Sequence, residues 1–118
     1  MFNFFERRKK NKPKILYSEV FKKYIFQDDR LKIIIVSAHW CDSCRIVKPI
    51  FEDLSDENRN NTADWFVVNS DTEHDIVKHF YITSLPTVIF VRSAFILYQG
   101  PMIPKMSFQN RIDSLLRN

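Results

Sequence analysis

Two cysteines, and no others, occur in these 118 residues, and they lie two residues apart in Trp40-Cys41-Asp42-Ser43-Cys44-Arg45. The apolar run Ile33-Ile34-Ile35-Val36 precedes them, and a segment with helical apolar spacing follows. A chain that carries a C-x-x-C from a strand into the start of a helix has few architectures open to it. Four consecutive β-favouring residues without a polar break suit a central strand covered on both faces. The first N–H groups of the following helix are unpaired and its dipole is positive there, which favours thiolate over thiol at the first cysteine. The second thiol lies about one turn further on, close enough to close a disulfide with the first. Such a pair is the working part of a thiol–disulfide exchange site.

The rest of the chain alternates around that centre. Lys14–Tyr17 reads as a short first strand. Ser18 is placed to cap a helix over Glu19–Gln27, with Val20, Phe21, Tyr24 and Ile25 on its buried face. Lys32–Ser37 is the central strand. The second helix runs from Asp42 to Asp56, with Ile46, Val47, Ile50, Phe51 and Leu54 as its stripe and a kink expected at Pro49. Glu57–Thr62 is a loop, Asp64–Asn69 a strand, and Asp71–Phe80 a helix begun by Asp71 or Thr72. Ile82–Pro86 is a loop, because proline disfavours helix in the residue before it. Thr87–Arg92 and Phe95–Gln99 are strands joined at Ser93-Ala94, where the lack of glycine predicts a longer or irregular turn. Ser107 is placed to cap a last helix, with Phe108, Ile112, Leu115 and Leu116 inward. Early alternation predicts parallel pairing through right-handed crossovers, and the late hairpin an antiparallel edge.

This length suits one domain, residues 14–118, preceded by a basic flexible tail over residues 1–13. The chain carries a net charge of +4. Over residues 1–14, Arg7, Arg8, Lys9, Lys10, Lys12 and Lys14 stand against Glu6, a net +5, so the remainder of the chain carries −1. A domain near neutrality does not support a nucleic-acid footprint. Phe2, Phe4 and Phe5 beside those cations allow contact with an anionic membrane, but one short apolar patch binds weakly, and a solvated tail is the favoured reading. No run approaches the roughly 20 apolar residues of a membrane helix, and the start lacks the pattern of a signal peptide. The expected setting is therefore cytoplasmic, where a C-x-x-C is catalytic or metal-binding rather than structural. Two cysteines supply two of the four ligands tetrahedral zinc takes, so no metal is assigned, and no cofactor is expected.

At this point the chain resembles the thioredoxin family, over roughly residues 14–117. The marks are Ala38-His39-Trp40-Cys41-Asp42-Ser43-Cys44-Arg45 at the end of a strand, Pro49 five residues after the second cysteine, and Asn69-Ser70-Asp71 closing the next strand. Ser84-Leu85-Pro86-Thr87 then leads into Val88-Ile89-Phe90. The resemblance implies an α/β fold of three layers, α/β/α, around a central mixed sheet of four to five strands. It also implies a cis Pro86 lying against the two sulfurs, with Leu85 offering its backbone to a substrate chain. The implied partners are disulfide-containing proteins, with a thioredoxin reductase or a glutathione system as electron source.

Cys41, at the helix start, is the expected nucleophile and Cys44 the resolving thiol. Trp40 is expected as an apolar shelf beside them, with Leu85 and Pro86 completing the substrate surface. Asp42 and Ser43 are modulators: the carboxylate disfavours a Cys41 thiolate, whereas the hydroxyl is able to donate to it. Two departures from the family bear on mechanism. Ile35 stands where the family usually buries an aspartate, and Val67 where a lysine often pairs with it. The assistant for proton transfer at the second thiol is then missing, so water or an imidazole has to serve, and His39 is the nearest imidazole. His74 and His79 are assigned surface roles. The competing reading is a thioredoxin-fold adaptor or chaperone-type binding module with little redox turnover.

Overall fold

The computed structural model describes residues 12–60 and 62–117. Most of the basic tail assigned to residues 1–13 lies outside the described residues. Among the described residues nine elements follow one another: β1 (Lys14–Ile15), α1 (Phe21–Phe26), β2 (Lys32–Ser37), α2 (Asp42–Glu57), β3 (Asp64–Asn69), α3 (His74–His79), β4 (Thr87–Arg92), β5 (Phe95–Gly100) and α4 (Lys105–Leu116). The sheet has five strands in the order β1-β3-β2-β4-β5. β1 and β2 pair parallel with β3, while β2 with β4 and β4 with β5 are antiparallel. The sheet is mixed and its late hairpin antiparallel, as the element order predicts.

β2 is the spine, buried along its whole length. Its side chains alternate between two cores, as strand geometry dictates. Ile34 and Val36 meet Phe21, Ile25, Ile76 and Phe80 of the α1 and α3 layer. Ile33 and Ile35 meet Phe51 and Leu54 of α2 and Phe108 and Ile112 of α4. Trp65 and Phe108 stack with ring centroids 6.0 Å apart in that second core. The C-terminal end of α2 is tied to α4 by a reciprocal pair of hydrogen bonds between the side-chain amides of Asn58 and Gln109, 2.7 and 2.9 Å. Among the described residues no helix is long and apolar enough to cross a membrane.

Lys32 is an apparent misfit in β2, a lysine only 2% exposed. Its ammonium is satisfied at the strand's start by Asp28 and by the Arg30 carbonyl at 2.9 Å. That bond holds the Asp28 carboxyl below its ordinary value. Arg30 in turn grips both carboxylate oxygens of Asp64 at 2.8 and 2.9 Å. The network lies at the opposite end of β2 from the cysteines.

Several local expectations are corrected. Ser18 does not cap α1. Its N–H goes to Glu73 Oε1 at 2.7 Å, residues 17–20 form a turn, and the helix starts at Phe21. Phe21 and Ile25 are buried, but Val20 and Tyr24 are exposed. Asp71 and Thr72 do not open α3. Asn69 draws in the Asp71 N–H with its side chain and the Thr72 and Glu73 N–H groups with its carbonyl, so a turn precedes the helix. α4 starts from Pro104, so Ser107 lies inside it rather than at its cap. The Ser93-Ala94 link is a tight two-residue turn with φ of 51° and 70°. Both residues adopt the left-handed conformation that a type I′ hairpin demands, because the flanking ladder fixes it. The irregularity falls instead inside the ladder, as a bulge between Phe90 and Val91.

Candidate active site

β2 ends at Ser37, and Ala38–Trp40 turn the chain into α2. Cys41 is the N-cap of that helix, with extended φ and ψ of −88° and 109°. The Cys44 N–H donates to Cys41 Sγ at 3.2 Å, so a sulfur fills the role an N-cap oxygen usually plays. The Ser43 hydroxyl lies 3.4 Å from the same sulfur. The two cysteines are joined in a disulfide, with Cα atoms 5.2 Å apart. Cys41 is 7% exposed and Cys44 only 1%, so the first is the sulfur nearer solvent. Ala38 completes their cluster and the half-buried Leu85 packs on it. The Leu85–Pro86 peptide is cis. The Thr87 hydroxyl donates to the Ser84 carbonyl at 2.6 Å and fixes the end of that loop. Pro86, like Leu85, is half-buried.

Trp40 is 67% exposed, yet it is anchored. Its indole N–H donates to both Asp71 carboxylate oxygens, at 3.0 and 3.1 Å. Asp71 is in turn positioned by its own N–H on Asn69 Oδ1 at 3.0 Å. Sequence reasoning placed Asp71 at a helix start and missed this contact across 31 positions. Only the side-by-side pairing of β2 and β3 brings the two ends together.

Arg45 is the second residue not anticipated. It forms an ion pair with Asp42 one turn before it on α2. It also donates through Nη1 to the His39 carbonyl at 2.8 Å. The like charge expected beside Cys41 is therefore partnered within the same turn. The i,i+3 spacing of Asp42 and Arg45 was the available signal. Ile46, expected in the buried stripe of α2, is 69% exposed and lies outside that contact. Pro49 sits inside the helix and offers no N–H to the Arg45 carbonyl.

Behind the disulfide a cleft of about 350 Å³ opens between α2, the turn after β3 and the edge at β1. Cys44, Lys48, His39, Val67, Glu73 and Tyr17 are among its lining residues. Glu73 is held there by the Thr72 hydroxyl at 2.6 Å and the Ser18 N–H at 2.7 Å, which together keep its carboxyl below the ordinary value. Ile35 is fully buried and pairs in register with Val67 across β2 and β3. No ionisable pair occupies those two positions.

A family model described as Thioredoxin matches residues 12–113. The chain belongs to the thioredoxin family. A thioredoxin of Borreliella burgdorferi is 40% identical over 70 residues, which are 59% of this chain and 59% of that one. The peptide-N(4)-(N-acetyl-beta-glucosaminyl)asparagine amidase of Caenorhabditis elegans is 43% identical over 65 residues, 55% of this chain but 10% of that protein. The match thus spans less than two thirds of the length of either relative. In three dimensions the thioredoxin of Trypanosoma brucei brucei superposes with a TM-score of 0.79 at 21% identity, over 95% of this chain and 97% of that one. That likeness establishes the thioredoxin fold, with Cys41 and Cys44 at the start of the helix after the central strand.

Proposed function

We propose that this protein is a thiol–disulfide oxidoreductase that reduces protein disulfides through a Cys41–Cys44 dithiol/disulfide cycle. In the reduced protein the Cys41 thiolate attacks one sulfur of the target disulfide. The target S–S bond breaks, one substrate thiolate leaves and takes a proton, and Cys41 carries the other half as a mixed disulfide. Cys44 then loses its proton and attacks Cys41. The mixed disulfide breaks, the second substrate thiol is released, and the Cys41–Cys44 bond holds the oxidised state. Two electrons have passed to the substrate, and a thioredoxin reductase or a glutathione system returns them.

The observation that carries this reading is the position of the Cys41 sulfur at the N-cap of α2. It lies under the Cys44 N–H and beside the Ser43 hydroxyl, both able to donate to a thiolate. Leu85 packs on the cysteine cluster, and Trp40, Leu85 and Pro86 serve as the substrate surface, with Leu85 presenting backbone to an extended chain. His39 at the cleft rim is the imidazole available for proton transfer, while Asp42, balanced by Arg45, tunes Cys41 together with Ser43. The working domain is residues 14–118, preceded by the basic tail, in a cytoplasmic setting.

Cys44→Ser provides the test. It removes the resolving thiol, so incubation with a disulfide-containing protein accumulates a covalent adduct through Cys41 that dithiothreitol releases. Cys41→Ser accumulates none. A Cys44→Ser protein that forms no adduct contradicts the assignment. The apolar Ile35 and Val67 favour the second reading, an adaptor or chaperone-type module with little turnover. Its mark is a double Cys→Ser protein that keeps its cellular role.

A further inference from the structure

We propose that Lys48 is the electrostatic partner of the resolving thiol and supplies the charge that lets Cys44 ionise in a nearly buried position. The proposal rests on the reading of Cys41–Cys44 as an exchange pair and deepens it. Cys44 and Lys48 stand four residues apart on α2, so their side chains share one face of the helix. Both line the cleft behind the disulfide, Cys44 buried and Lys48 half-buried.

The other titratable groups of that cleft are committed or peripheral. Arg45 is bound to Asp42 and the His39 carbonyl. Glu73 is held by Thr72 and Ser18 at the opposite wall. His39 and Tyr17 are exposed. From the strands, Val67 and Val68 present apolar surface to the cleft, and Ile35 lies behind Val67 in the dry core. Among the described residues Lys48 has no ion-pair partner; the acids nearest to it are Glu52, one turn further along α2, and Glu73 across the cleft, whereas Cys44 lies one turn before it on the face they share.

The chemistry needs such a charge. During resolution the Cys44 S–H gives its proton to cleft water, and the new thiolate attacks Cys41 as the Cys41–substrate bond breaks. Burial opposes that ionisation. An ammonium one turn away favours it, and beside a sulfur that is almost fully buried the attraction is screened less than between groups at an open surface. Lys48 thus replaces, from the helix side, the assistance that Ile35 and Val67 do not offer from the strands.

The test separates the two thiols in one experiment. Reduced protein is mixed with equimolar 4,4′-dithiodipyridine, an uncharged disulfide, and thiopyridone release is followed by stopped flow across pH. Attack by Cys41 gives a concentration-dependent first phase, and resolution by Cys44 a concentration-independent second phase. Lys48→Gln is expected to slow the second phase about three- to tenfold near neutral pH and to move its pH profile upward. The first phase stays within about twofold, Lys48→Arg restores the second, and high salt narrows the difference. Superimposable second-phase profiles for Lys48→Gln and the parent overturn the proposal, as does an equal change in both phases, which marks a structural effect. A parent protein that releases one thiopyridone per molecule instead of two overturns the exchange reading itself, and this inference falls with it.

Discussion

Ile35→Asp places a carboxyl at the position where the family usually buries one, and the structure determines what it costs here. Ile35 is fully buried between Phe51, Leu54, Val88 and Phe90, and its cross-strand neighbours are Val67 and Val88. Losing the Ile packing costs about 2–5 kcal/mol, as for a large-to-small change in a core. A neutral carboxyl without a partner adds roughly 1–3 kcal/mol. The sum, about 3–8 kcal/mol, approaches the roughly 5–15 kcal/mol stability of an ordinary domain. Burial in an apolar core also raises the acid's pKa above its unfolded value. The folded state then binds more protons than the unfolded one between those two values, and stability falls as pH rises through that window by about 1.4 kcal/mol per pH unit. The assay is urea unfolding of the oxidised protein at pH 4 and pH 7.5, with Ile35→Ala as reference. Ile35→Ala is expected to lose stability almost equally at both pH values, and Ile35→Asp to lose more at the higher one. An Ile35→Asp protein with no greater pH dependence than Ile35→Ala refutes the reasoning, because it means that water reaches Ile35 from the cleft beside Cys44.

Three further outcomes follow from named contacts. Asp71→Ala frees the Trp40 indole, worth about 1 kcal/mol or less at this exposed site. Acrylamide quenching of Trp40 should rise, and reduction of a protein disulfide should slow several-fold with little change in melting temperature. Unaltered quenching would show that Asp71 does not hold the ring. Ala94→Gly relieves a left-handed φ of 70° and should stabilise the fold by roughly 0.5–1 kcal/mol, a few degrees in Tm, whereas a lower Tm contradicts the assigned turn. Glu73 has a depressed carboxyl pKa, so its bonds to Thr72 and Ser18 contribute stability above the ordinary glutamate range and lose it as pH falls below that range. Glu73→Gln should therefore flatten part of the acid limb of the stability curve, and an unchanged limb would contradict this.

The legible parts of the fold were those decided locally. The four-residue apolar run identified β2, and the C-x-x-C that follows it located the start of α2 at Asp42. Thr87–Arg92 was equally readable, because an uninterrupted β-favouring run leaves little choice of element. What stayed hidden was decided by partners distant in sequence. Ser18 has the chemistry of a cap, but Glu73 takes its N–H from 55 positions away. Asp71 has it too, but Asn69 folds the chain into a turn, and Trp40 claims the carboxylate. Ile46 fits a helical stripe by spacing, yet the sheet covers α2 along Phe51 and Leu54 and leaves Ile46 outside. Ser93 and Ala94 are poor left-handed residues by themselves, and only the β4–β5 ladder imposes that conformation. The cleft was invisible for the same reason: its walls come from β1, β3, α2 and the turn before α3, which meet only in the folded chain.

The most direct test of the account is a redox titration of the whole protein. It is equilibrated in dithiothreitol or glutathione buffers of graded potential, with Cys41 and Cys44 followed by thiol labelling and Trp40 by fluorescence. The account predicts one reversible two-electron transition, in which both thiols appear together and the fluorescence follows the same midpoint. Thiols that remain inert across the range, or that titrate independently of one another, would contradict it.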